Sequence, residues 1–163
     1  MTMFENLETF RHDLKPMFGS LRKAEPDAVI EMRRQHPECP EPYWAFLLER
    51  GTGAVEQDGE PFFFEERLLS AESELYRDRQ IYENGAKGDV MIFGHESMGT
   101  AYGFDTGDGW KLVEVDEFRI VTPLELTFAE FVVGLVLCYP QIAMKVENGE
   151  WVDGVGTRYR PSA

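Results

Sequence analysis

Residues 90 to 115, VMIFGHESMGTAYGFDTGDGWKLVEV, limit the possible folds more than any other part of the chain. VMIFG is nearly continuous in apolar side chains, as a strand covered on both faces would be. TAYGFD alternates, with Tyr102 and Phe104 pointing one way and Ala101 and Gly103 the other. WKLVEV alternates again and puts Trp110 and Leu112 on one face, with Glu114 next along it. Short turns separate the three segments, so a meander is expected. Gly94, Gly99 and Gly103 turn the chain between strands and leave room beside large aromatics, and the stretch reads as scaffold.

Helical spacing dominates on either side. Phe4, Leu7, Phe10 and Leu14 suit a short first helix that Pro16 stops. EPDAVIEMRRQH predicts a second, with Pro26 in its first turn, where a missing N–H costs nothing. CPEPYWAFLLERG predicts a third, with a stripe of Tyr43, Phe46 and Leu47 that Trp44 and Leu48 widen, and Gly51 as a left-handed cap. GTGAVEQDGE reads as a polar loop and PFFF as the start of a strand, with Pro61 at its edge. Ser70 can cap a helix through AESELYRDRQIY, with Leu75 and Tyr82 seven apart and Asn84-Gly85 at its end.

The clearest helix is TFAEFVVGLVLCYP. Thr127 and Glu130 form a capping box, and Phe128, Phe131, Val132, Leu135, Val136 and Tyr139 make a wide core-facing stripe before Pro140. Beyond it, Asn148-Gly149 between Val146 and Trp151 signals a hairpin with a type I′ turn, and the last ten residues read as a loose tail. With no internal repeat or linker, the 163 residues imply a single α+β domain: an antiparallel or mixed sheet with helices packed against it.

The glycine-rich stretch invites chemistry that its spacing does not support. No Gly-Lys-Ser/Thr follows a glycine turn into a helix, as a phosphate loop needs, and no GxGxxG occurs. From Asp105, a calcium loop would meet Gly107 and Gly109 where it needs oxygen donors, so DTGDG is expected to be a turn between strands. His95 has Glu96 and Ser97 nearby, yet His12 and His36 lie far off in the N-terminal part, and Ser97 lacks a strand–elbow–helix setting. Catalytic, cofactor-binding and metal-binding residues are accordingly expected to be none. An enzyme using His95 and nearby acids is the weakest of three readings.

Charge narrows the partners. The chain has 16 basic and 30 acidic residues, for a formal net charge of −14. Such a field repels nucleic-acid phosphates and anionic lipid heads and attracts basic partners, although it also serves solubility alone. The longest apolar run, FVVGLVLCY, is nine residues, about half of what a bilayer requires. The start, MTMFENLETFRHD, has acids where a signal peptide needs a basic head. Cys39 and Cys138 are the only cysteines, far apart and outside any CxxC motif. A cytoplasmic protein without nucleic-acid or membrane partners is expected.

Four motifs in order carry a family likeness. CPEPYWAFLLERGTG resembles the glycine-terminated Pro-Tyr-Phe-Leu helix of the SUKH superfamily, and VMIFGHESMGTAYGFD its central strand pair. WKLVEVDEF and TFAEFVVGLV resemble its next strand and its closing Phe-x-x-Phe helix. The likeness spans about residues 21 to 138, leaving a hairpin-like extension at about 141–153 and the tail. These are bacterial immunity domains related to a yeast cell-wall assembly regulator. The resemblance implies a non-catalytic, SUKH-like binding domain that neutralises a cognate secreted toxin by direct association; a regulatory scaffold module for a cellular protein is the alternative. It implies mainly structural roles for Tyr43, Phe46, Leu47, Gly51, Phe93, Gly94, Tyr102, Phe104 and Asp105.

Residues 56 to 74 hold seven acids, Glu56, Asp58, Glu60, Glu65, Glu66, Glu72 and Glu74, against one base, Arg67. Residues 105 to 117 add five acids against Lys111. A nuclease toxin must be basic to hold phosphate, so an acidic inhibitor can fill its groove and associate fast. The seven acids of 56–74 are therefore the expected contact surface for a basic toxin domain, with a merely solvated face as the plainer reading.

Overall fold

The segments with two-residue alternation become the middle of a six-stranded sheet. The computed structural model describes residues 3, 4, 7, 18, 20–57, 59–75, 80–138 and 144–160. In it β1 (Gly53–Gln57), β2 (Glu60–Ser70), β3 (Val90–Glu96), β4 (Ala101–Asp105), β5 (Lys111–Val115) and β6 (Val121–Pro123) lie side by side in chain order. Every neighbouring pair is antiparallel. Four helices accompany the sheet among the described residues: α1 (Pro26–Gln35), α2 (Glu41–Glu49), α3 (Gln80–Glu83) and α4 (Phe128–Cys138). A second sheet of β7 (Met144–Glu147), β8 (Glu150–Asp153) and β9 (Arg158–Tyr159) follows α4. The fold is α+β.

Alternation sends side chains to two cores, one on each side of the large sheet. Phe62, Phe64, Phe93, Tyr102, Phe104 and Leu112 join the larger core, with Tyr43, Phe46 and Leu47 of α2 and Phe128, Phe131 and Leu135 of α4. Its rings meet edge-on: Phe93 and Phe128 lie 5.2 Å apart at 88°, Phe4 and Phe46 5.3 Å apart at 87°. Val90, Ile92, Ala101, Val113 and Val115 face a smaller core, which Ala71, Ile81 and Ala86 of the β2–β3 crossover complete. This explains why VMIFG lacks polar side chains.

Local signals set the helix ends as expected. Pro26 opens α1. Gly51 has φ +96 after α2, and its N–H donates to the Phe46 carbonyl. At α4 the Thr127 N–H donates to Glu130 Oε1 at 2.9 Å, and the Glu130 N–H to Thr127 Oγ1 at 3.1 Å. Asn148 and Gly149, at φ +51 and +77, turn β7 into β8.

Four expectations change. GTGAVEQDGE is no loop: Gly53–Gln57 pairs with β2 as an edge strand, disguised because Val55 alone is buried among Gly53, Ala54, Val55 and Glu56. Ser70 ends β2, and its Oγ accepts the Ser73 N–H, but the turn it caps is a π turn, Ala71–Leu75. Of the rest of the expected helix, Gln80–Glu83 is helical as α3 and 76–79 lie outside the described residues, while Leu75 is exposed. The Asp89 carboxylate takes the Glu72 N–H and the Ser70 hydroxyl there, holding this turn against β3. Leu48 is exposed, because the α2 stripe turns through Trp44 instead. The tail contributes β9, since the buried Asp153 accepts the Val155 and Thr157 N–H groups and turns the chain back onto β8. Phe4 and Leu7 of the first expected helix are buried, whereas Phe10, Leu14 and Pro16 lie outside the described residues, as do Tyr139 and Pro140.

Candidate interaction surface

Two of the residues that could have carried chemistry in 90–105, His95 and Asp105, hold structural partners. His95 stacks on Phe63, with ring centroids 5.1 Å apart, and its Nδ1 lies 2.8 Å from Glu65 Oε1. Asp105 is 2% exposed and accepts three backbone N–H groups: Lys87 at 2.8 Å, Gly88 at 2.8 Å and Gly107 at 3.0 Å. It clamps the β4–β5 turn to the chain entering β3. Among the described residues no group of three or more His, Cys, Asp or Glu side chains could hold a metal ion. Cys39 and Cys138 are buried and free, and burial, with Glu41 nearby, pushes the Cys39 thiol up and away from its reactive thiolate.

The positions named by the family likeness lie in structural roles. Tyr43, Phe46, Leu47, Phe93, Tyr102 and Phe104 are buried in the larger core. A Cβ at Gly94 would come 2.8 Å from the Phe62 ring, and one at Gly51 would strike the Arg22 carbonyl.

The acids of 56–74 do not form one patch. Glu56 and Glu60 are exposed beside the β1–β2 turn. Glu65 holds His95 in mid-strand, with exposed Glu66 beside it. Glu74 makes a two-pronged pair with Arg67, and Glu72 accepts the Tyr82 hydroxyl. A bulge between Phe64 and Leu69 shortens β2 against β3, yet at about 3.3 Å per paired residue the acids at its start still lie roughly 20 Å from its end at Ser70, beyond which Glu72 and Glu74 stand. Asp58 lies outside the described residues.

One end of the sheet collects what the sequence kept apart. The β1–β2, β3–β4 and β5–β6 turns all lie there, because β2 begins opposite the end of β3 (Phe62 faces Glu96) and the strands alternate in direction. A Cβ at Gly99 would be 3.8 Å from Glu117 Cβ, so the second and third turns lie close together. Met98 is 73% exposed on one and Phe118 72% on the other, with Ile120 half-exposed beside it. Asp116 Oδ1 accepts the Phe118 and Ile120 N–H groups, both at 2.9 Å, and so fixes the turn that displays them. Sequence reasoning missed this pair. Its signal was a single large apolar residue among polar neighbours in each of ESMG and DEFR.

Glu114, two residues back along β5, is half-buried in the wall of a cleft of about 520 Å³ that Pro123, Met144 and Val152 also line. Burial raises its carboxyl above the ordinary value, and the charges of Asp116 and Glu96 raise it further. Lys145 lines the same cleft, but the causes that act on the Glu114 carboxyl, burial and two neighbouring carboxylates, all raise it.

No protein-family model, curated protein or solved structure matches this chain. No described helix is long and apolar enough to cross a membrane.

Proposed function

We propose that this chain is a non-catalytic binding domain that neutralises a basic toxin domain by direct association, as its resemblance to the SUKH immunity domains implies. The observation that carries this reading is the pairing of a net charge of −14 with exposed apolar side chains on fixed turns. Acids speed encounter with a basic partner, and exposed aromatic and thioether groups supply contact area once it has arrived. His95 and Asp105 serve the fold rather than a reaction. The protein acts in the cytoplasm, on a protein rather than on nucleic acid or a lipid surface.

The test is co-expression with the C-terminal domain of a large secreted protein encoded beside this chain. Growth should be rescued by the wild type and equally by His95→Ala/Ser97→Ala. Rescue that disappears in this double variant, with the fold intact, would favour an enzyme. Binding to a cellular protein in the absence of any toxin would favour the regulatory scaffold.

A further inference from the structure

The exposed apolar residues of the described chain are unevenly spread. Met3, Ile30, Leu48, Leu75 and Val155 are scattered singly along the chain, as surface apolar residues commonly are. Met98, Phe118 and Ile120 instead share two turns that lie close together. Neither turn needs these side chains for its own geometry. The Glu96 N–H donates to the Thr100 carbonyl and the Asp116 N–H to the Ile120 carbonyl, while the Asp116 carboxylate closes the second turn. An exposed phenylalanine held on a pinned turn loses little freedom when it is covered, which favours its use as a contact anchor.

Charge selects what can cover it. Glu96, Glu114, Asp116 and Glu117 lie in or beside the two turns, and Glu56 and Glu60 stand at the neighbouring one, with Arg119 in the second turn and Lys145 in the cleft beside Glu114 as the bases among them. A second copy of this chain would bring like charge against like. So would nucleic acid or an anionic membrane. A basic protein segment with apolar side chains matches both features.

We propose that the turn end of the six-stranded sheet, centred on Met98 and Phe118 and flanked by these carboxylates, is the docking surface for a basic, partly apolar segment of a partner protein. The assignment rests on the binding function proposed above and locates it. It shifts the contact from the length of β2 to one end of the sheet, keeping Glu56 and Glu60 and dropping Glu65, Glu72 and Glu74, which hold His95, Tyr82 and Arg67.

The experiment titrates the full chain with a synthetic peptide of alternating arginine and leucine, followed by amide chemical shifts. A peptide of alternating glutamate and leucine is the control. Met98→Ser/Phe118→Ser keeps every charge, so simple attraction is held constant; an unchanged unfolding midpoint certifies its fold. The proposal expects shifts concentrated in residues 96–100 and 114–120, and affinity reduced about tenfold or more in this variant. Glu65→Gln/Glu72→Gln/Glu74→Gln should bind within about twofold of wild type. Equal affinity of the wild type and Met98→Ser/Phe118→Ser overturns the surface and leaves the binding function standing. Failure of the wild type to bind the basic peptide at all, or equal binding of the acidic one, overturns both.

Discussion

Asp105 shows how a carboxylate that looks like a ligand becomes a fastener. The turn after β4 and the chain before β3 leave three amide donors with no strand partner, and one buried side chain accepts them all. Asp105→Asn replaces an acceptor oxygen with a donor, leaving an amide facing an NH2 group. The cost should be about 1.5–3 kcal/mol in a denaturant titration, the range for hydrogen bonds to a charged group. A loss under half of that would mean that the turns hold without it. Tyr43 presents the opposite case. Its hydroxyl is buried with no partner among the described residues, and burial pushes its ionisation up, with Cys39 and Glu65 nearby adding to the rise. Tyr43→Phe removes the unsatisfied group while keeping the ring against Phe104 and Phe128. It should match or exceed wild-type stability, by up to about 1 kcal/mol. Clear destabilisation would reveal a hydrogen bond for this hydroxyl.

At the scale of elements, α4 joins the two sheets. It is buried nearly all round: Phe128 and Phe131 face the large sheet, and Gly134 lets the small one approach. A Cβ at Gly134 would lie 1.9 Å from Met144 Sδ and 3.0 Å from the Trp151 ring, whose Nε1 donates to the Glu130 carbonyl. Gly134→Leu should therefore push β7–β9 off the helix, at about 1–3 kcal/mol for overpacking. Amide exchange should rise in residues 144–159 and stay slow in β3 and β4; unchanged protection at 144–159 would contradict the packing. The sequence made α4 legible because capping and stripe agree, and the meander because its alternation is strong. β1 was hidden because an edge strand with one solvated side carries little apolar signal, just Val55. The break at 71–75 was hidden because Asp89, far along the chain, supplies the bonds that shape it. The acids of 56–74 were legible as a charge run, but their division among three local tasks depends on partners from other elements. The turns that carry Met98 and Phe118 came together only through the strand order.

For the whole molecule, charge and fold pull in opposite directions. Glu114 is where this is felt most, being half-buried with Asp116 and Glu96 nearby. Its folded carboxyl titrates above the ordinary 4.5, so just above that value the folded chain holds more protons than the unfolded one. This group's contribution makes stability fall as pH rises through the window. Glu114→Gln should thus stabilise the protein at neutral pH, and the gain should shrink as pH drops towards 4.5. A gain that is the same at both pH values would show that Glu114 is solvated in the folded state.

The central claim is that this acidic chain works by occupying a basic partner, one molecule for one. The most direct measurement titrates the purified chain into a candidate basic toxin domain that it protects against, while toxin activity and heat of binding are followed together. The account predicts that activity falls linearly to zero at one equivalent, at the same point where the heat ends, and that added salt slows association. Inactivation by a small fraction of an equivalent would mean turnover, and full activity at excess would mean no neutralisation; either result would contradict it.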